Sequence, residues 1–267
     1  MVLELNSKSG KRQQEIINQL EREGYVQISE LSEAMGVTPV TIRNDLDILE
    51  KAGYARRILG GAILPLTKNT LSKKSDLEYN VDLKIELARL AAKLVKNGET
   101  LLIGSGTTTY YFALELKQHQ NLNIVTNSIP IAVAFHAVPG FRTILLGGNV
   151  TTQHLDAYAF TYGDESYEQM RKYRADKTFL SWDGISVNSG FTTYNVEEAN
   201  LNKLMMRHAD QTIVIADSTK FGRETFSRVA PIESADYIVT NPNADLTILQ
   251  ALRNRGVKIL TNTSDLK

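Results

Sequence analysis

Cysteine is absent from this chain of 267 residues, and histidine occurs only four times. Without thiols, the sequence excludes disulfide bonds, thiol catalysis and thiolate metal sites, and it is compatible with a reducing cytoplasm. The four histidines are not paired at the spacing of metal ligands. We therefore expect neither a bound metal nor a cofactor.

Long apolar runs and an excess of charge of either sign are missing as well. No apolar run reaches the ~18 residues that a membrane-spanning helix needs, and the N-terminal residues MVLELNSKSGKRQQ lack the core of a signal peptide. The chain has 30 basic and 30 acidic residues, so no global charge draws it to nucleic acid. These absences predict a cytoplasmic protein without a membrane partner, and they disfavour a non-specific nucleic-acid binder.

The stretch VQISELSEAMGVTPVTIRNDLDILEKAG, residues 26–53, predicts two short helices joined by a tight turn. Ser29 is the expected cap of the first helix, and Gly36 is its expected end. Thr38 followed by Pro39 is typical of the start of a second helix. This order of signals predicts a helix-turn-helix.

The second helix has one apolar and one polar face. Its apolar residues recur at i, i+4 and i+7, which predicts a buried stripe of Ile42, Leu46 and Leu49. Side chains at the start of such a helix can hydrogen-bond base edges, and two arginines ahead of the Gly60-Gly61 turn would contact phosphate from a wing-like hairpin. The candidate DNA-binding residues are Thr38, Val40, Thr41, Arg43, Asn44, Arg56 and Arg57. Spacing alone leaves open a helical subdomain whose outward polar residues are only solvated.

Residues 65–81 are polar and lack an apolar period, so we interpret them as a linker. Beyond them, short apolar strands alternate with helical segments, which predicts an α/β domain on a largely parallel sheet over residues 82–267. The seven predicted strands are residues 100–104, 122–126, 143–147, 178–182, 212–216, 237–240 and 257–260.

Small or polar residues follow five of these strands, at the edge where open parallel sheets bind ligands. Residues 105–109 have the composition of a phosphate cradle at a helix N-terminus, although a purely structural turn would have the same composition. A phosphate there and at Lys220, with sugar hydroxyls at Asp183 and Asn127, is the chemically consistent ligand. Glu198 either faces this pocket or complements the dipole of its own helix.

The segment TIRNDLDILEKAG is followed by RRILGGAIL, and the segments GSGTTT, VTNSIPIA, LLGG, WDGIS, GFTT and DSTKFG come later in the chain. Together they closely resemble the DeoR family of bacterial transcription regulators, with Leu59 where the family usually has His. The resemblance implies a winged helix-turn-helix domain over residues 8–64, with its motif at about 26–45. TIRNDL and NVEEANLNKLM look most like the amino-sugar, N-acetylgalactosamine type, branch.

The same resemblance implies that residues 82–267 form a sensor similar in fold to ribose-phosphate isomerases and CoA transferases. A phosphorylated sugar is then the expected effector, with its phosphate on residues 105–109. The expected effector-binding residues are Ser105, Gly106, Thr107, Thr108, Thr109, Asn127, Ser128, Gly147, Gly148, Asp183, Glu198 and Lys220.

The function expected from these features is a repressor of a sugar-utilisation operon. It would bind a double-stranded DNA operator as a homo-oligomer, a dimer or a tetramer, and a phosphorylated sugar would control its DNA affinity. The competing class is an enzyme, a sugar-phosphate isomerase or CoA transferase with an added N-terminal domain, in which Asp183 and Lys220 would supply base and cation. Those isomerases carry further acids where this chain has Ile185 and Ser186, so we expect no catalytic residues.

Overall fold

The computed structural model describes residues 8–23, 25–58, 60–63, 80–151 and 158–266. The chain divides into two compact units, Met1–Asp82 and Leu83–Lys267. Leu59 and residues 65–79 of the expected linker lie outside the described residues. The boundaries given above for the two domains and the linker stay a prediction.

Between residues 8 and 63, the described part of the first unit forms three helices and a small antiparallel sheet with the strand order β1-β3-β2. Ile16, Leu20 and Leu31 are fully buried in its core, together with the expected apolar stripe of the third helix. Its elements are α1 (Lys8–Glu23), β1 (Tyr25–Gln27), α2 (Ile28–Met35), α3 (Pro39–Lys51), β2 (Arg56–Ile58) and β3 (Gly61–Ile63).

The helix-turn-helix forms from the expected local signals, with one correction. Thr38 caps α3, because its Oγ1 accepts the backbone N–H of Thr41 at 3.3 Å, and Gly36 ends α2 in the left-handed region at φ 61°. The prediction that Ser29 caps α2 is wrong. The helix already begins at Ile28, whose side chain is buried and whose backbone N–H is satisfied by the Gly60 carbonyl at 2.8 Å.

The second unit alternates strands and helices as expected. Its elements up to residue 180 are α4 (Val81–Ala92), β4 (Thr100–Ile103), α5 (Thr107–Glu115), β5 (Asn123–Thr126), α6 (Ile129–Phe135), β6 (Arg142–Leu145), β7 (Asn149–Val150), β8 (Thr161–Tyr162), α7 (Asp164–Met170) and β9 (Ala175–Leu180). The later elements are β10 (Gly184–Ser186), β11 (Gly190–Thr193), α8 (Val196–Arg207), β12 (Ala209–Ile215), β13 (Ser227–Ala230), β14 (Tyr237–Val239), α9 (Leu246–Asn254) and β15 (Lys258–Leu260).

All seven expected strands join one sheet with the order β15-β14-β12-β9-β4-β5-β6, and each neighbouring pair is parallel. The central strands are apolar runs because both faces of such a sheet are covered. A three-stranded antiparallel sheet, β10-β11-β13, and the ribbon β7-β8 complete the unit. The predicted class, a helix-turn-helix followed by an α/β domain with a mostly parallel sheet, is confirmed.

The strand order reverses between β4 and β9. From β4 the chain adds β5 and β6 on one side, whereas from β9 it adds β12, β14 and β15 on the other. In open α/β sheets, such a reversal opens a crevice beyond the carboxyl ends of the two central strands, because the loops after them turn away from each other. The loops after β4 and β9 therefore flank the natural ligand position of this fold.

Candidate DNA interface and effector site

Helix α3 presents a polar surface at its first turns. Arg43 and Asn44 are exposed, and Val40 is 60% exposed, an unusual value for an apolar side chain. Thr41 is half-buried, with its Oγ1 3.0 Å from that of Thr38. The buried stripe on the opposite side fixes which residues face outward, so the cap Thr38 and the four helix residues proposed for DNA lie at one end and on one side of α3.

A buried carboxylate on α3 attaches this helix to α1. Asp45 is 2% exposed and forms an ion pair with Arg12, whose Nη2 also donates at 3.1 Å. Gln13 Nε2 donates to the same carboxylate at 2.9 Å, and Ser9 Oγ donates at 3.3 Å. The hydrogen bond to Asp45 is the main cause that raises the pKa of Arg12 above its usual value. This network attaches α3 to α1 in a fixed rotation, and our sequence analysis did not identify it.

The two wing arginines, Arg56 and Arg57, lie on β2 and are half-buried. Arg57 pairs with Asp47 of α3 and donates to the Arg43 carbonyl at 3.1 Å. Its backbone N–H also donates to Glu50 Oε1 at 2.6 Å. Arg57 therefore joins the wing to α3, and its contact with DNA phosphate stays a prediction.

The loop between β4 and α5 is built around glycine. Gly106 has φ +146°, a conformation that L side chains rarely adopt, and a Cβ at this position would stand 2.4 Å from Ser181 Oγ. Thr109 Oγ1 donates to the carbonyls of Gly104 and Gly106 at 2.8 and 3.0 Å. Helix α5 begins at Thr107 without a side-chain cap. The Thr109 hydroxyl thus stabilises the loop, and the backbone N–H groups of the first turn remain for a ligand.

Asn127 and Ser128, which follow β5, support this loop from the neighbouring strand. Asn127 Oδ1 accepts the backbone N–H of Ser105 at 3.1 Å, and its Nδ2 donates to the Thr161 carbonyl at 3.3 Å. Ser128 Oγ accepts the N–H of Ile131 and caps α6. Both side chains are fully buried, so their visible role is to position the loop after β4.

Gly147 and Gly148 follow β6 and pack against α7 and the ribbon. The backbone N–H of Gly147 donates to Gln169 Oε1 at 2.9 Å, and its carbonyl accepts from Ser166. Gly148 has φ +135°, and a Cβ there would lie 2.5 Å from the Tyr162 carbonyl. Their role in effector binding stays a prediction.

Two carboxyl groups come together beyond the crevice. Thr193 Oγ1 lies 2.9 Å from Asp183 Oδ2 and 2.9 Å from Glu198 Oε2, so it bridges the two. Ser105 Oγ donates to Glu198 Oε1 at 3.2 Å, and Tyr158 OH donates to Oε2 at 2.7 Å. The loop after β4, the loop after β9 and the first turn of α8 therefore meet in one polar cluster.

Burial raises the pKa of Glu198 to about 7. The hydroxyls of Tyr158 and Thr193 oppose this shift, whereas the charge of Asp183 adds to it. Glu198 is 3% exposed. Its side chain faces the polar cluster from the first turn of α8, and its part in effector binding stays a prediction.

Lys220 belongs to a short turn after β12. Asp217 begins this turn and accepts the backbone N–H of Thr219 at 2.9 Å. The chain then runs beside β10, where Ile185 pairs with Phe221 and accepts the N–H of Gly222 at 2.9 Å. The half-buried Lys220 therefore lies in the segment that flanks the strand following Asp183.

Two family models match the chain. The model described as the DeoR-like helix-turn-helix domain matches residues 12–68, and the model described as the DeoR C terminal sensor domain matches residues 79–242. The chain belongs to the DeoR family. The sensor match includes every predicted effector residue, and the helix-turn-helix match includes every predicted DNA-binding residue.

DeoR-family relatives match over nearly the whole length. A protein named putative aga operon transcriptional repressor, from Escherichia coli O157:H7, is 33% identical over 94% of this chain and 93% of its own. The lactose phosphotransferase system repressor of Lactococcus lactis subsp. lactis is 31% identical over 86% and 90%. Among solved structures, ribose 5-phosphate isomerase A from Methanocaldococcus jannaschii matches 53% of this chain and 55% of its own at 19% identity and a TM-score of 0.39, too low to carry an argument.

Sequence reasoning missed two members of the cluster in this DeoR-family sensor. Thr193 lies in the GFTT motif, which marked the segment but not the residue that bridges the carboxyl groups. Tyr158 reaches Glu198 across 40 positions of the chain, and no local pattern indicated it. In the part of the chain that the structure describes, no group of three or more His, Cys, Asp or Glu is arranged to hold a metal ion, and no helix there has the length and apolarity to cross a membrane.

Proposed function

We propose that this DeoR-family protein is a repressor of a sugar-utilisation operon and that a phosphorylated sugar, bound in the second unit, controls its affinity for a double-stranded operator. The proposal has a DNA half and an effector half, and each rests on its own geometry. We further propose that it acts as a dimer or tetramer, because two helix-turn-helix units related by a two-fold axis reach successive major grooves.

The DNA half rests on α3. The exposed start of this helix carries Arg43 and Asn44, which have the geometry to contact guanine and adenine edges respectively. The buried Asp45 network keeps these side chains on the outer face. Arg57 couples the wing to the same helix, so that phosphate contacts by the wing and base contacts by the helix would occur in register.

The effector half rests on the start of α5. Side chains of Ser128, Asn195 and Asp245 cap α6, α8 and α9, whereas α5, like α7, follows a glycine and has no side-chain cap. Uncapped N–H groups and the helix dipole favour a phosphate. The observation that carries the proposal is that this uncapped turn meets the Asp183–Thr193–Glu198 cluster at the strand-order reversal, because acceptors for sugar hydroxyls then lie beside a phosphate position.

The names of the two relatives support a sugar-linked signal. One is called a repressor of the aga operon and the other a repressor of a lactose phosphotransferase system. The first of these supports the amino-sugar branch that TIRNDL and NVEEANLNKLM indicate. Cytoplasmic action follows from a DNA operator as partner.

Fluorescence anisotropy of labelled promoter DNA from the protein's own gene region tests both halves together. The purified full chain is titrated at two salt concentrations, with and without a panel of hexose and hexosamine 6-phosphates. We expect specific binding that one phosphosugar weakens. Binding that prefers no sequence, or specific binding that no phosphosugar alters, would refute the DNA half or the effector half respectively.

Two arginine variants separate base contacts from phosphate contacts. Arg43→Ala should lose about 1–3 kcal/mol of discrimination between operator and non-operator DNA. Arg57→Ala should weaken all sequences alike and flatten the salt dependence by about one unit. Equal loss of specific and non-specific binding by Arg43→Ala would remove this residue from base recognition.

One observation favours a second candidate, an isomerase. A buried carboxyl with a pKa of about 7, as in Glu198, suits a general base, because such a base works best near the ambient pH. We propose instead that this group binds the effector without turnover. Incubation with ribose 5-phosphate and with each effector that binds, followed by NMR, tests this; any isomer that forms in proportion to enzyme would restore the enzyme candidate.

A further inference from the structure

Helix α8 carries a second buried polar residue one turn beyond Glu198. Asn202 is 1% exposed, and its spacing of four residues puts it on the same face of the helix as Glu198. A Cβ built on Gly104 would stand 3.1 Å from Asn202 Oδ1. The amide group therefore lies directly against the loop that joins β4 to α5.

This amide lacks hydrogen-bond partners among the described residues: neither Asn202 Nδ2 nor Asn202 Oδ1 has one. The N–H of the adjacent Gly104 is already used, because it donates to the Phe179 carbonyl at 3.0 Å, and the Gly104 carbonyl accepts from Thr109 and not from Asn202. Buried amides are almost always paired, because the cost of leaving them unpaired exceeds the gain from an ordinary hydrogen bond. A residue that keeps both a donor and an acceptor unused here is suited to a partner from outside the chain.

On the basis of the proposed function, we propose that Asn202 reads the sugar part of the effector. Its Oδ1 accepts a hydrogen bond from one hydroxyl, and its Nδ2 donates to a hydroxyl or carbonyl oxygen of the same phosphorylated sugar. The neighbouring carboxyl of Glu198 binds a further hydroxyl, while the first turn of α5 holds the phosphate. Asn202 then determines which sugar is accepted, because a site that hydrogen-bonds a hydroxyl strongly rejects an analogue without it.

The test compares Asn202→Leu, which removes both polar atoms at similar volume, with the wild type and a matched control. Thr240→Val is the control, because Thr240 is fully buried and its Oγ1 also lacks a partner among the described residues. Thr240 follows β14, which is separated from β9 by β12. Calorimetry and thermal unfolding of the full-length proteins use glucose, galactose, fructose, glucosamine and galactosamine 6-phosphates, with inorganic phosphate as the probe for the phosphate position alone.

We expect Asn202→Leu to bind the preferred sugar phosphate roughly tenfold or more weakly, with unchanged affinity for inorganic phosphate and a Tm without ligand that is not lowered. Thr240→Val should bind the sugar phosphate like the wild type. Equal sugar-phosphate affinity in Asn202→Leu, or an equal loss in both variants, would overturn the inference while leaving the proposed function in place. If the wild type binds none of the five sugar phosphates, the proposed function fails and the inference fails with it.

Discussion

Two carboxyl groups of this protein are buried to the same degree, one in each unit, and they have opposite surroundings. Asp45 is 2% exposed and Glu198 is 3% exposed. Asp45 accepts hydrogen bonds from the guanidinium of Arg12, the amide of Gln13 and the hydroxyl of Ser9. Among the described residues, the donors to Glu198 are the hydroxyls of Ser105, Tyr158 and Thr193, and the charge of Asp183 raises its pKa further. The first carboxylate is satisfied within the protein, whereas the second keeps a capacity for further partners.

The difference is not a general property of the second unit. In that same unit Glu99 forms an ion pair with Lys177, at the opposite, amino-terminal end of the parallel strands. A buried carboxyl group costs free energy unless a cation or hydrogen bonds compensate it. The carboxyl group that has no cation partner among the described residues lies beyond the carboxyl ends of the parallel strands, the edge at which open α/β sheets bind ligands.

The largest effect on the free energy of unfolding is expected from breaking the Arg12–Asp45 ion pair. Arg12→Ala should lower the free energy of unfolding of the first unit by about 3 kcal/mol, because it leaves the Asp45 carboxylate buried without its cation. Far-ultraviolet circular dichroism in urea reports this loss. Fluorescence of Trp182, the one tryptophan, reports the second unit and should not change.

A double variant serves as the control for that pair. Arg12→Met combined with Asp45→Leu removes both charges and should regain most of the lost stability, because an apolar pair of similar volume replaces a buried ion pair at little cost. A double variant as unstable as Arg12→Ala would mean that packing by the Arg12 side chain, and not the charge pair, stabilises the unit.

The next largest effect is expected from Glu198→Gln, which should raise the free energy of unfolding. The pKa of Glu198 is about 7 in the folded protein, whereas an ordinary glutamate has a pKa of 4.5, so the folded protein retains a proton that the unfolded chain releases between these values. Stability therefore falls as pH rises from about 4.5 to about 7, and then stays level. Glu198→Gln should remove this dependence and stabilise the second unit by on the order of 2 kcal/mol at about pH 8.

Urea titrations of Trp182 fluorescence across this pH range measure the effect. Glu99→Gln is the matched control, because it removes a carboxylate that a lysine compensates and should destabilise at about pH 8. If the stability of Glu198→Gln depended on pH as in the wild type, Glu198 would not be the group that retains the proton in the folded protein.

The smallest effect concerns the cap that positions Glu198. Asn195 Oδ1 accepts the backbone N–H groups of Glu197 and Glu198 at 2.9 and 3.1 Å. Asn195→Ala should cost about 1 kcal/mol of stability and should also weaken effector binding, because the first turn of α8 loses its anchor. Asp245→Ala removes the equivalent cap from α9 and should leave effector affinity unchanged; calorimetry with the preferred sugar phosphate distinguishes the two.

Local chemistry explains which features could be predicted from the sequence. The start of α3 is encoded by Thr38 and Pro39, which satisfy the helix end by themselves, and the parallel strands are marked by apolar runs that both buried faces require. The prediction that Ser29 caps α2 was wrong because the true start of α2 depends on the Gly60 carbonyl, which is remote in sequence. A capping residue predicts the start of a helix only where no group distant in sequence already accepts a hydrogen bond from the first N–H groups of that helix.

The composition of the polar cluster could not be predicted in the same way. The loops of Ser105 and Asp183 become neighbours only because the strand order reverses between β4 and β9, which no segment encodes alone. Tyr158 reaches the cluster through its hydrogen bond to Glu198, and Asn202 lies against Gly104. Motifs therefore indicated where the cluster lies, while its hydrogen bonds and its unpaired amide required the tertiary structure.

The reversal of strand order also determines the order in which the strands of the nascent chain gain their neighbours. In the first unit Tyr25 pairs with Ile63, so its contacts close within a short length of chain, and such local contacts form early. In the second unit Leu101 pairs with Lys177, and β4 lacks one neighbour until β9 has left the ribosome. Synthesis proceeds from the N-terminus. The helix-turn-helix is therefore synthesised completely before β9, the second of the two strands that flank the crevice. Each new molecule thus completes the segment that carries α3 before it completes the strands on both sides of the crevice.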